Sequence, residues 1–282
     1  MSPARLPVLF AVVLSVLSSA CAHKSLSGSD LDRVKRPAFI SRIEEHAGPE
    51  SRVFREDGRY EGKLKKLDPK EADRRLTAKL ARAIGRFEIS DRLRSSTHAL
   101  LPQGPPWTSR VDPARVASVL ESYLVDEVPA NAPDYELLRP LGADAVVEFV
   151  VQEYGMRSRD GGAFAHLRGY ARMFRLDGGE LWRTPFEEDG RHAGREPLDP
   201  FLVAKEPERY RTEMVALIEA ISTRLAAGLT PPDRREREPS GSPKTSGSKD
   251  EGGLDGAPDD INRTGKQGSK DELPPGELPD PG

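Results

Sequence analysis

Apolar and polar positions alternate with a period of two from Ala163 to Leu176. Ala165, Leu167, Ala171 and Met173 fall on one face of an extended chain. Phe164, His166, Arg168, Tyr170, Arg172 and Phe174 fall on the other. A valine-rich run, Ala145 to Tyr154, precedes this stretch. Asp177-Gly178-Gly179 follows it as a turn, and Glu180 to Phe186 reads as a returning strand, which makes a three-stranded meander. Elsewhere the period lengthens to that of a helix. Behind the start signal Asp68-Pro69-Lys70-Glu71, apolar residues recur at Ala72, Leu76, Leu80, Ala83, Ile84 and Phe87, and Gly85 is expected to end the helix. Phe87 and Ile89, alternating with Glu88 and Ser90, suggest a short strand. Asp112-Pro113 opens a second helix with Val116, Val119, Leu120, Tyr123 and Leu124 as its stripe. A helical turn after Asp134 carries Leu137, Leu138 and Leu141, and Gly142 breaks it. Pro207 opens a last helix with Tyr210, Met214, Leu217, Ile218, Ile221 and Leu225 on one face.

Phe39, Ile40 and Ile43 suggest a first strand. Arg52 to Leu64 reads as a β-hairpin around Asp57-Gly58. The pattern as a whole predicts an α+β domain: a single mixed sheet with helices packed on one face, preceded by that hairpin.

The first 20 residues have a different texture. Arg5 and the amino terminus supply positive charge, Leu6 to Leu17 is an apolar core, and the small residues Ser18 to Ala20 follow. The core is shorter than the roughly 20 residues that span a bilayer. Leu17-Ser18-Ser19-Ala20-Cys21 ends the run with the one cysteine of the chain. This segment resembles the signal peptide of a bacterial prolipoprotein. The resemblance implies cleavage before Cys21, a diacylglycerol thioether on its sulfur, further acylation (palmitate or a similar chain) of the new amine, and anchorage in a membrane. A conventional secretory signal is the alternative, since Ala20-Cys21-Ala22 also has a small-x-small form. Ala22 after the cysteine implies the outer membrane under the enteric sorting rule.

Composition divides the chain further. Residues 21–36 are polar and read as a tether, 37–230 as the globular domain, and 231–282 as a tail. The tail lacks aromatic residues and is dominated by Pro, Gly, Ser and charges, a composition expected to be disordered. With 43 basic and 46 acidic residues the net charge is −3, which is not the basic excess that nucleic-acid binding requires. A single cysteine allows no intramolecular disulfide, so the fold must rest on a packed core.

Leu141-Gly142-Ala143-Asp144-Ala145-Val146-Val147 and Arg175-Leu176-Asp177-Gly178-Gly179-Glu180-Leu181-Trp182-Arg183 resemble two junctions of an envelope domain. That domain is shared by the N-terminal part of TolB, the curli-secretion lipoprotein and the lipoprotein activators of penicillin-binding proteins. A group of uncharacterised lipoproteins fits equally. The resemblance covers about Asp68 to Gly228. It implies a helix entering the central sheet at the first motif, a hairpin carrying a tryptophan at the second, and a non-enzymatic role through protein contacts.

Catalytic and metal patterns are sparse. The sequence holds no phosphate-binding Walker loop, no G-x-S-x-G elbow and no H-E-x-x-H. His166 and His192 as a metal pair, and Glu187-Glu188-Asp189 as calcium ligands, lack the remaining donors of a recognisable site. Glu148 and Glu153, five apart on one strand, are expected on opposite faces rather than as an acid/base pair. No cofactor or metal site is expected. The best candidate is the face carrying Phe164, Arg168, Tyr170, Arg172 and Phe174, since aromatic residues and arginine concentrate at binding hot spots. The expected function is that of a lipid-anchored, non-catalytic envelope protein, held at the membrane through Cys21 and acting on an envelope protein or on peptidoglycan. The alternatives are an accessory component of an envelope export or assembly machine and a soluble periplasmic enzyme.

Overall fold

The structure is a computed structural model that describes residues 23–120 and 128–235. The signal peptide, Cys21, Tyr123, Leu124 and the tail from residue 236 onward lie outside the described residues.

The centre is a five-stranded mixed sheet. β3 (Ala145–Arg159), β4 (Gly162–Arg175) and β5 (Glu180–Asp189) form the antiparallel meander expected from the alternation. β1 (Pro37–Ile43) adds to β3 in parallel, so the strand order is β1-β3-β4-β5. The two-residue β2 (Glu50–Ser51) pairs with β3 farther along, opposite Gly155 and Met156. Gly155 has φ +153°, and a Cβ there would fall 1.9 Å from the Glu50 carbonyl oxygen, so only glycine lets β2 approach.

The inner face of the sheet is apolar. Val147, Phe149 and Val151 of β3, Ala165, Leu167, Ala171 and Met173 of β4, and Trp182 and Phe186 of β5 all belong to the main core. Three longer helices contribute to this core. In α4 (Pro69–Ala83), Asp68 accepts hydrogen bonds from the Lys70 and Glu71 amides, as the capping signal predicts, and Ala72, Leu76, Leu80 and Ala83 turn inward. In α8 (Glu208–Gly228), which follows the short α7 (Pro200–Lys205), the predicted stripe from Tyr210 to Leu225 is buried. The third is α5 (Arg86–Ala99), which the sequence reading takes for a strand at Phe87 and Ile89. There Ile89, Leu93 and Thr97 recur every four residues and are buried, while Phe87 is 46% exposed. Gly85 begins this helix rather than merely ending the previous one.

The outer face carries a second, smaller apolar cluster at one end of the sheet. α6 (Pro113–Val119), capped by Asp112, and a 3₁₀ turn, Tyr135–Leu141, bring Val116, Leu120 and Leu138 onto Ala38, Ile40 and Val146. Gly142, with φ +80°, closes the turn, and Asp144 accepts the Lys35 and Arg36 amides at 2.7 and 2.9 Å where β1 and β3 begin.

Three further expectations are corrected. Arg52–Leu64 is not a hairpin but two short helices, α2 (Val53–Glu56) and α3 (Glu61–Leu64), joined by a 3₁₀ turn, Gly58–Tyr60. The cause is Asp73 on α4, 3% exposed, whose carboxylate accepts the Phe54 and Arg55 amides at 3.1 and 3.0 Å and caps α2 from outside. The polar tether is not free after Lys24. Leu26, Leu31 and Val34 are buried in the main core around α1 (Gly28–Leu31), which Ser27 caps. The globular domain also runs past residue 230. Pro231 is buried, and α9 (Pro232–Arg235) packs on α1, where a Cβ on Gly28 would overlap the Asp233 carboxylate.

Candidate functional site

The outer face of β3, β4 and β5 is built from charge. Side chains leaving this face stand in rows across the strands, because cross-strand partners share a face. One row joins Glu148 of β3 to Arg172 of β4 and Arg183 of β5. The expectation that Glu148 and Glu153 point to opposite faces fails. Pairing slips between Val151 and Glu153, leaving Gln152 as the extra residue of a β-bulge, and this returns Glu153 to the outer face opposite Arg168. Glu148 and Glu153 therefore share a face. Their partners Arg172 and Arg168 are four residues apart on β4, about 13 Å along a strand.

Each carboxylate is met by guanidinium groups. Glu148 is fully buried, and Arg42 Nε donates to it at 2.8 Å. Arg172 Nε and the Tyr135 hydroxyl donate to it as well. Burial pushes the Glu148 carboxyl up, but the hydrogen bonds from Tyr135 and Arg42 and the charge of Arg172 outweigh it and hold the group below the ordinary carboxylate range. Burial and the same carboxylate push the Tyr135 phenol up, so it keeps the proton it donates. Arg42 is fixed by two further bonds, to the Ala130 carbonyl and the Tyr170 hydroxyl, both at 3.0 Å.

Two rows farther on, past Val150, Tyr170 and Pro185, Glu153 lies 3.0 Å from Arg168, 3.3 Å from His166 and 3.9 Å from Arg52. Its carboxyl is lowered to about 2, by His166 first and then by the charges of Arg168 and Arg52, against its partial burial. His166 is 1% exposed, and burial, with the charges of Arg157 and Arg52, lowers its own pKa. The imidazole is therefore neutral at pH 7, and the arginines carry the compensation of Glu153 there. Diagonal pairs continue along the same face, with Glu187 2.8 Å from Arg157 and Asp189 3.3 Å from Arg159.

The five residues singled out in the sequence do lie on this face, but not equally open. Phe164 is buried, 6% exposed, under the segment from Gly190 to Leu198, which returns to β4 through the Gly190 and Leu198 amides. Phe174, half-buried, joins the smaller apolar cluster, 5.1 Å from the Tyr135 ring. Between these covered ends lies a window. Arg168 is half exposed there. Tyr170 is half-buried with the Arg183 guanidinium 4.6 Å above its ring, and Arg172 stacks 4.8 Å from Phe174. Arg183 and the exposed Pro185 of β5 belong to the same window, and the sequence reading missed them. Their signal was the alternation Arg183, Pro185, Glu187 on β5, which places all three on the face of Tyr170.

The other candidates are engaged elsewhere. Glu187, Glu188 and Asp189 point at arginines, with Glu188 2.7 Å from Arg224, so their charges are already met. Among the described residues no three His, Cys, Asp or Glu side chains converge as metal ligands. None of the helices among the described residues is long and apolar enough to cross a membrane.

No family model matches the chain, and no curated protein matches it. Solved structures give remote likenesses. Lipoprotein GNA1162 from Neisseria meningitidis is 14% identical over 68% of this chain and 99% of that one, with a TM-score of 0.31. A PelC dodecamer from Paraburkholderia phytofirmans is 13% identical over 73% and 94%, with a TM-score of 0.28. The hypothetical protein CT253 from Chlamydia trachomatis is 12% identical over 69% and 98%, with a TM-score of 0.32. Likenesses at this level do not bear on function.

Proposed function

We propose that this chain is a lipid-anchored, non-catalytic protein of the bacterial cell envelope that docks a partner protein on the outer face of its sheet. The observation that carries the reading is the window between the two covered ends, where Arg168, Tyr170, Arg172, Arg183 and Pro185 come together. Arginine and tyrosine give large, amphipathic contact area, tyrosine at low entropic cost, and such residues dominate binding energy at interfaces. The carboxylates on the face support this over catalysis. Glu148, through Tyr135, Arg42 and Arg172, and Glu153, through His166, Arg168 and Arg52, are both held below the ordinary carboxylate range, whereas a general acid needs a carboxyl raised towards neutrality. The apolar run and small residues ahead of Cys21 support the anchor. The turn-to-strand junction at Leu141–Ala145 and the hairpin carrying Trp182 support placing the domain with the TolB-type envelope group.

Intact mass of the membrane-extracted protein, beside Cys21→Ser, tests the anchor. The expected mass begins at Cys21 and carries acyl chains, and the variant loses them. In-cell cross-linking from a photoreactive residue at Pro185 tests the docking face. A discrete adduct that Arg168→Ala with Tyr170→Ala abolishes is expected. Adducts unchanged by those substitutions would sink the face as the docking site.

A further inference from the structure

The N-terminal segment is tied to one edge of the sheet. Lys24 and Arg183 exchange two backbone hydrogen bonds, at 2.8 and 3.0 Å, as an isolated antiparallel bridge on the free side of β5. The Lys24 ammonium also donates to the Glu180 carbonyl. From there the chain is held continuously. Leu26, Leu31 and Val34 are 3%, 1% and 5% exposed, and Asp144 then takes the Lys35 and Arg36 amides at the start of β1. Cys21 precedes Lys24 by three residues, so its Cα lies within about 11 Å of the Lys24 Cα even when that stretch is fully extended.

The geometry points to a fixed orientation at the membrane: the β5 edge, at Lys24, Arg183 and Pro185, faces the lipid headgroups, and the sheet stands edge-on with β1 away from the bilayer. This rests on the reading of Cys21 as the acylated residue. A free tether of the length suggested by composition would let the domain turn every face to the surface. Three residues cannot, because the anchored end stops at the edge strand itself. β1 lies three strand spacings farther off, about 14 Å, with α5 packed on it. Pro185 suits this edge. It has no amide hydrogen, and it stands two residues from Arg183, on the side where the Arg183 amide and carbonyl leave the sheet, so it blunts the edge against strand addition by another chain. The edge is thus left to face lipid, and the outer-face window opens sideways, just above the surface. The partner it fits is one held at the same membrane.

The natural chain has a single cysteine, and acylation blocks it, so an introduced cysteine takes one label. Full-length acylated protein carrying a fluorophore at Pro185→Cys, with Glu187→Cys as a second β5 site, is compared with Ser95→Cys, exposed on α5. All are placed in phosphatidylethanolamine/phosphatidylglycerol vesicles with a headgroup nitroxide lipid. Quenching severalfold stronger at both β5 sites than at Ser95 is expected. A ten-residue Gly/Ser insertion after Ala22, adding about 17 Å of flexible reach, should bring the sites level. Equal quenching in the acylated protein without the insertion overturns the orientation and leaves the anchor intact. A difference that survives the insertion overturns it too, since the short junction would not be its cause. A mass without acyl chains removes the anchor, and the orientation with it.

Discussion

On the inner side of β4, Ala165, Leu167, Ala171 and Met173 pack into a core shared with α8; on the outer side of the same strand, His166, Arg168, Tyr170 and Arg172 stand among carboxylates and rings. Both sides bury residues completely, Leu167 on one and, on neighbouring β3, Glu148 on the other. What differs is what a loss leaves behind. Removing an inner side chain leaves a cavity, whose cost scales with its volume. Removing an outer carboxylate leaves guanidinium groups with no counter-charge. The inner face tolerates changes of chemistry poorly and changes of shape partially. The outer face depends on pairing.

Glu148→Ala is the sharpest break of this contrast. It strands Arg42, Arg172 and the Tyr135 hydroxyl together, and the expected loss is about 3 kcal/mol, at the low end for a broken buried pair because Arg172 is one-quarter exposed. Glu148→Gln keeps the shape and a carbonyl acceptor, and about half that loss is expected. Ile218→Ala on α8 is the inner counterpart, also expected to cost about 3 kcal/mol, through its cavity. Urea unfolding of the three variants checks the ranking. If Glu148→Gln costs as much as Glu148→Ala, charge alone governs the outer face, whereas a Glu148→Gln variant as stable as wild type would mean that shape does.

Asp73→Ala comes next, at about 2 kcal/mol, because it removes a cap that also holds the Ser51 hydroxyl at 2.6 Å. Thermal melts against wild type measure it. This residue also marks where the sequence stops being legible. Strand alternation on β4 and the caps at Asp68 and Asp112 were local signals, and the fold follows them. Arg52–Leu64 depended on a carboxylate about 20 residues away, so its local turn signal at Asp57-Gly58 pointed to the wrong element. The bulge at Gln152 was hidden because Val150 and Val151 just before it fit either face. Of the candidate face, Arg168, Tyr170 and Arg172 were readable from period alone. The covering of Phe164 by the Gly190–Leu198 segment was not, since that is a tertiary contact.

Acid separates the faces without mutation. Glu153 has its folded-state pKa lowered from 4.5 to about 2. Its contribution is therefore complete above about pH 4.5 and is lost as the pH falls through the folded value near 2. Glu148, also lowered, acts in the same direction. The apolar side chains of the inner core do not titrate. Stability measured by urea midpoint should fall between about pH 4.5 and 2, and Glu153→Gln should flatten that slope. An unchanged slope would mean that His166, Arg168 and Arg52 do not hold the carboxylate in the folded protein.

The smallest expected effect on stability belongs to Arg168→Ala, and it bears most directly on function. Arg168 is half exposed, so its pair with Glu153 is screened, and its removal should change stability by less than about 0.5 kcal/mol. A structural arginine and a docking arginine then part company. If Arg168 only balances Glu153, Arg168→Lys should restore whatever the alanine loses, because charge alone is at stake. If it docks a partner through its planar, five-donor fork, lysine should not restore the cross-link from Pro185. The two readouts, the urea midpoint and adduct yield in the same cells, separate the cases. A melt unchanged with the adduct lost in both variants assigns Arg168 to the interface, whereas recovery of the adduct by lysine returns it to the ion-pair rows of the sheet.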